Sequence, residues 1–257
     1  MRCRLYLSHG LNRVVCYYVM KQMPDELHNQ TAKFNQSFLG LAKFLDEWVD
    51  KIKSQAIQND IRRAAWFVWG RYTLSIRSIH KICNPYFLPD IWLIARSCLE
   101  HEATLRGIMD DPEIAKDYLN FMNRAKAYYA WLLEKLGLSG QLALLEPDLI
   151  KTFGANWRDQ KSATWSKASE LVEKYGGEDS RRCYAMWSHF THCSVVASYF
   201  LENNAPTVSS LDNTIAIVYG GYVLVTSDFL DFIWGPIVTT ESDGCKNDFL
   251  NVMRKWI

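Results

Sequence analysis

Residues 91–103 read IWLIARSCLEHEA, and this stretch decides the fold class. At 100° per residue, its apolar side chains cover nearly the whole circumference of an α-helix. A helix that is apolar on all sides is buried among other elements. Two of its charged residues, Arg96 and Glu100, interrupt the apolar surface four positions apart, so they share one face of the helix. The stretch predicts a central helix that carries a charged pair into the interior of the protein.

The rest of the chain shows the same helical periodicity between well-spaced Gly, Pro and Asn breaks. The breaks divide it into segments that predict helices over residues 24–54, 60–83, 89–109, 111–136, 141–153, 164–175, 179–202 and 211–234. For the second of these, Trp66, Trp69, Leu74 and Ile79 are the expected inner face. Alternating strand patterns with hairpin turns are absent from the sequence. We therefore expect an all-α fold, a single-domain helical bundle of roughly six to eight helices.

Domain boundaries follow from the same pattern. The bundle is expected to span residues 23–236. Residues 1–22 contain four basic and no acidic residues, and they predict an N-terminal extension or an extra helix. Residues 237–257 are expected to form a C-terminal tail.

Composition excludes some classes of protein and indicates a compartment. The net charge of +1 argues against broad electrostatic capture of nucleic acid. Seven cysteines without a C-x-x-C pair predict a reducing, cytoplasmic environment with neither a disulfide framework nor a structural zinc. The apolar stretch from Ile215 to Trp234 is interrupted by Asp228 and Asp231. We interpret it as a buried core helix and expect no membrane contact.

The charged pair on the central helix has two interpretations. Arg preceding Glu at this spacing is the less favoured order for helix stability, and a buried charge costs several kcal/mol unless it is paired. The pair is therefore either an internal ion pair that fixes helix packing or the lining of a polar pocket.

A second polar stripe occurs in residues 184–194, YAMWSHFTHCS. Ser188 and His192 share a face by their i, i+4 spacing, Tyr199 falls on it one heptad later, and His189 lies about 60° from His192. Two histidines at this spacing could bind a metal, but the duplicated Glu-x-x-His signature of di-metal bundles is missing. We expect no metal and no other cofactor, and a polar site that the stripe shares with Arg96 and Glu100.

Arg96 and His101 also form an R-x4-H pattern. It resembles the motif of the HEPN superfamily of helical proteins. The resemblance implies that the His acts in acid–base chemistry on the RNA 2′-hydroxyl and that the Arg stabilises the phosphate. Five residues correspond to about 140° on a continuous helix, so these two side chains should diverge. Two protomers usually pool such motifs in that superfamily, and a homodimer is therefore expected.

Two motifs are similar to those of an uncharacterised bacterial family, domain of unknown function 5677. They are A-R-S-x-L-E at residues 95–100 and W-S-x-x-x-H-x-S at residues 187–194, followed by an apolar final helix. The resemblance spans roughly residues 30–235. It implies a HEPN-like helical architecture, which is common in toxin and phage-defence systems.

Two functions remain open from the sequence. In the first, the protein is a metal-independent ribonuclease of a bacterial defence system. His192 or His101 is then the acid–base residue, Arg96 holds the phosphate and Glu100 orients Arg96. Ser188, His189 and Tyr199 are binding residues, and RNA or a partner protein of the defence system is the partner. In the second, the protein is a non-catalytic helical module that binds a small ligand or another protein.

Overall fold

The computed structural model describes residues 28–160, 165–191, 207–235 and 239–254. This part of the chain contains nine α-helices and no strands, which confirms the all-α prediction. The helices are α1 (His28–Ala56), α2 (Asp60–Lys81), α3 (Leu88–Asp110), α4 (Pro112–Lys135), α5 (Ser139–Phe153), α6 (Ala168–Tyr175), α7 (Glu178–Thr191), α8 (Val208–Trp234) and α9 (Thr240–Met253). Short 3-10 turns occupy Pro85–Phe87 and Gly154–Asp159.

The sequence sets the helix starts by capping. Asn59 precedes α2, and its side-chain oxygen accepts hydrogen bonds from Ile61 N and Arg62 N at 2.8 and 3.1 Å. Asp111 accepts from Glu113 N at 2.9 Å at the start of α4, where Pro112 occupies the first turn. These side chains satisfy backbone N–H groups that have no partner within the helix.

Helix α3 lies at the centre of the bundle, where it packs against α2, α4, α6, α7 and α8. Eleven of its residues are buried, as its composition predicts. One exception is Leu93, which is 39% exposed, so the helix is covered on most but not all of its circumference.

Aromatic donors join α8 to this centre. Trp69 Nε1 on α2 donates to Thr226 Oγ1 at 3.1 Å, and Trp92 Nε1 on α3 donates to Thr214 Oγ1 at 3.0 Å. Tyr72 on α2 donates to a backbone carbonyl of α8 at 2.9 Å. Each bond satisfies a buried polar group that would otherwise cost about 1–3 kcal/mol.

Helix α8 is also long and apolar enough to cross a membrane by length and composition, with a mean hydropathy of 1.4 over Ser209–Trp234. Of the described helices it alone meets that test. The core helix of a globular protein meets the same test, and α8 packs against α1, α2, α3 and α9.

Two details differ from the sequence predictions. Leu74 is 61% exposed, because the buried face of α2 instead follows Ala65, Tyr72 and Ile76. The segment expected to be a C-terminal tail contains α9. That helix begins at a capping box formed by Thr239 and Ser242.

Three side chains spaced four residues apart bury α9 against the bundle: Cys245, Phe249 and Met253. Phe249 packs on Phe44 of α1 with ring centroids 5.4 Å apart. Trp48 Nε1 on α1 donates to Asp248 at 3.0 Å. The last helix is therefore part of the core.

Candidate functional site

Arg96 and Glu100 lie on the side of α3 that packs against α7. Arg96 Nη2 is 2.9 Å from Glu100 Oε1, and the two side chains are 20% and 22% exposed. The i, i+4 spacing places the pair on one face, and the surrounding apolar residues of α3 hold that face inside the bundle. The two charges compensate each other at a half-buried position, where an unpaired charge would be costly.

Two residues of helix α7, Tyr184 and Ser188, contact this pair, and they also lie four residues apart. Arg96 Nε donates to Ser188 Oγ at 3.0 Å, and Arg96 Nη2 donates to Tyr184 Oη at 3.1 Å. Tyr184 Oη in turn donates to Glu100 Oε1 at 3.0 Å. We call Arg96, Glu100, Tyr184 and Ser188 the Arg96 cluster. It joins α3 to α7 by a closed ring of hydrogen bonds through Arg96, Tyr184 and Glu100.

The ring of Tyr184 supports the arginine in a second way. The guanidinium carbon of Arg96 lies 5.1 Å from the ring centroid, within the range of a cation–π contact. Burial raises the pKa of Tyr184, and the nearby negative charge of Glu100 raises it further. The hydroxyl therefore stays protonated at neutral pH and remains a donor to Glu100.

The guanidinium retains donors after these contacts. An arginine has five N–H groups in a fixed plane, and the contacts recorded for Arg96 use its Nε and Nη2 atoms. The Nη1 group makes no hydrogen bond to the described residues. A fixed guanidinium with two uncommitted N–H groups can bind an oxyanion such as a phosphate or carboxylate.

The structure places His101 away from this cluster. Its ring centroid is 6.3 Å from that of Tyr72 on α2. Burial, with the positive charge of Arg71, lowers its pKa to about 4. His101 is thus neutral at pH 7 and faces α2, whereas Arg96 faces α7. Within one chain the R-x4-H residues do not meet, as their 140° separation predicts.

Of the other four residues that the sequence predicts for the site, the structure describes two. Ser188 belongs to the Arg96 cluster, and His189 is exposed on α7. His192 and Tyr199 lie outside the described residues. Within the described ranges, no group of three or more His, Cys, Asp or Glu side chains could hold a metal ion.

Tyr184 is not among the site residues predicted from the sequence, although it contacts both charges of the pair. The signal was available as Y-x3-S at residues 184–188, which has the same i, i+4 spacing as Ser188 and His192. The spacing predicts a shared face, but only the packing of α7 against α3 shows that the face meets Arg96.

A second charged cluster was also not predicted. Glu102 directly follows His101, about 100° further around α3, and its side chain is 14% exposed. Arg106 Nε donates to Glu102 at 3.2 Å, and Arg106 Nη1 donates to Asp228 of α8 at 3.2 Å. Burial raises the pKa of Glu102, which Arg106 partly offsets. The carboxylate also lies against Gly221 of α8, where a Cβ atom would be 2.3 Å from Oε2.

The chain belongs to the family of unknown function DUF5677, whose match covers residues 62–206, more than half of the chain. The matched segment runs from the first turn of α2 past the end of α7, so it contains the whole Arg96 cluster. No significant match was found among curated proteins or among solved structures.

Proposed function

We propose that the protein is a helical ligand-binding module and that the Arg96 cluster recognises an anionic group, in the first place a phosphate. The observation that supports this most directly is the fixed position of Arg96. Glu100, Tyr184 and Ser188 hold its Nε and Nη2 atoms at 2.9–3.1 Å. Because the guanidinium is oriented before a ligand arrives, binding costs little side-chain entropy.

The composition of the cluster favours recognition over covalent chemistry. Glu100 is paired with Arg96, and the raised pKa of Tyr184 keeps its hydroxyl protonated. Ser188 Oγ donates to the backbone carbonyl of Tyr184 at 2.7 Å, so its proton is already committed. The described part of the cluster therefore offers a cation and hydrogen-bond groups, and it offers no free base.

The binding proposal is tested with inorganic phosphate and with a fluorescently labelled single-stranded RNA oligonucleotide. We expect Arg96→Gln to weaken the binding of both at least tenfold, because the charge and the fork geometry are both lost. Arg63→Gln is the control, since Arg63 is exposed on α2 and pairs with Asp60 at 2.9 Å. Equal binding by the two variants would refute the assignment of Arg96.

A second candidate function is the metal-independent ribonuclease of a bacterial, HEPN-like defence system acting in the cytoplasm. It is favoured by the contact between Arg96 and Ser188, because His192 follows Ser188 by four residues in the sequence. In this proposal Arg96 binds the scissile phosphate and His192 supplies acid–base catalysis. A second protomer would complete the site.

Cleavage of RNA in the presence of EDTA separates the two functions. If the protein is a ribonuclease, Arg96→Ala and His192→Ala each abolish cleavage, and either substitution relieves the toxicity of expression in cells. Arg63→Ala is the matched control for Arg96→Ala and should leave cleavage unchanged, because Arg63 is exposed on α2 and pairs with Asp60. If the wild-type protein binds RNA but does not cleave it, the ribonuclease function is excluded and the ligand-binding function is supported.

A further inference from the structure

An open cleft of about 690 Å³ lies at one end of the bundle, where α2 and α4 begin and α3 and α8 end. Met109 lines it from α3. Since Met109 is thirteen residues beyond Arg96 on the same helix, the cleft is roughly 20 Å from the Arg96 cluster at 1.5 Å per residue. The cleft is therefore a separate feature of the molecule.

Most of the wall of the cleft is apolar. Five side chains from four helices supply this surface: Ile61, Ile108, Met109, Pro112 and Phe232. Cavities of roughly 300–1,000 Å³ with an apolar lining and a few polar groups are typical of small-molecule sites. The volume of the cleft falls within this range, and its lining is mostly apolar.

The charged residues of the wall leave one positive charge in excess. Lys246 of α9 forms an ion pair with Asp231 of α8, which neutralises both. Arg62 of α2 also lines the cleft, and among the described residues it has no acidic partner. A ligand that carries a negative group would compensate Arg62.

The position of Arg62 is set by a glycine. Gly235 follows α8 with a φ of +72°, which disfavours any residue with a side chain. A Cβ atom on Gly235 would also lie 2.7 Å from Arg62 Nη2. Gly235 therefore serves both the backbone turn and the close approach of the guanidinium to the end of α8.

Asn59 adds a polar group to the same wall. Its side-chain oxygen is used in capping α2, and its NH₂ group has two donors that capping does not use. A guanidinium and an amide donor on adjacent turns suit an oxyanion, whereas Met109 and Phe232 suit an apolar body.

We propose that this cleft binds a small organic anion with an apolar body, its anionic head on Arg62 and Asn59 and its body against Met109 and Phe232. The proposal is independent of the ligand of the Arg96 cluster, because the two sites share no residue.

The test uses 8-anilinonaphthalene-1-sulfonate, a fluorescent aromatic sulfonate, as the probe on the full chain. We expect a saturable fluorescence increase with one site per chain, reversed by octanoate or by octyl phosphate. Displacement by one of these two and not the other identifies a carboxylate or a phosphate as the preferred head group. Failure of both to displace the probe would overturn the proposal.

Variants locate the bound probe. Arg62→Gln should weaken binding at least tenfold, whereas Arg63→Gln, one position away on α2, should not change it. Met109→Glu places a negative charge on the wall and should weaken binding as well, which covers the case in which Arg62→Gln does not fold. Equal affinity of Arg62→Gln and Arg63→Gln, or loss of binding in Arg96→Gln alone, would refute the assignment. Binding that is retained by Arg96→Gln and lost in Arg62→Gln assigns the probe to this cleft, whether or not the Arg96 cluster binds phosphate.

Discussion

Gly220 and Gly221 are adjacent in the middle of α8, and the structure predicts opposite effects for their replacement by alanine. A Cβ atom at position 220 would have no heavy atom within 4 Å. At position 221 it would lie 2.3 Å from Glu102 Oε2 and 3.0 Å from Glu102 Cδ. The pair is a matched test of whether Glu102 occupies the space that Gly221 leaves.

The expected magnitudes follow from two terms. Replacing a glycine inside a helix by alanine stabilises the helix by about 1 kcal/mol, and Gly220→Ala should gain up to that amount. Ordinary contact begins near 3.4 Å, so Gly221→Ala must push the Glu102 carboxylate away by about 1 Å. That movement strains the 3.2 Å bond from Arg106 Nε, and overpacking of this kind costs about 1–3 kcal/mol. We therefore expect Gly221→Ala to be less stable than Gly220→Ala by about 1–3 kcal/mol.

The free energy of unfolding is measured by urea titration, followed by circular dichroism and tryptophan fluorescence. The same two substitutions are then made in a Glu102→Ala background, where the obstructing carboxylate is gone. The difference between them should fall to within about 0.5 kcal/mol. If Gly221→Ala is as stable as Gly220→Ala with Glu102 present, the close contact and the reasoning built on it are wrong.

Two further predictions concern His101 and Trp157. Because the pKa of His101 is lowered to about 4, the unfolded chain binds a proton that the native state does not between pH 6.5 and 4. Stability should therefore fall by up to about 3 kcal/mol as the pH falls through this window. His101→Gln should remove that loss in urea titrations at pH 7 and 4.5, and exposed His189→Gln should not. Trp157 is fully buried in a small cluster beneath α4 and α5, separate from the main core, so Trp157→Ala should cost about 3–5 kcal/mol and speed hydrogen exchange in α5 while α3 stays protected.

Each of these two predictions has a clear contrary result. An unchanged pH dependence in His101→Gln would mean that the histidine is not buried as described. For Trp157, the conservative Trp157→Phe should cost less than Trp157→Ala, because the indole Nε1 has no hydrogen-bond partner among the described residues. Uniform loss of protection across the whole bundle in Trp157→Ala would contradict a separate cluster.

The sequence by itself determined the fold class and most of the helix boundaries. Helical periodicity and capping residues are local signals, and the start of α4 at Asp111 and Pro112 follows from them directly. The same local geometry placed Arg96 with Glu100 and separated both from His101. In each of these cases a single helix carries all the information that the prediction needs.

Only the tertiary structure decided what those faces meet. The packing of α7 on α3 brings Tyr184 and Ser188 to Arg96. The sequence predicted a polar site shared by Ser188 and Arg96 but did not select Tyr184, because neither helix alone specifies which of its residues meet the other helix. The exposure of Leu74 and the burial of α9 have the same cause. An apolar stripe shows that a face is buried only when another element covers it, and the number and direction of the neighbouring helices are not local properties of the sequence.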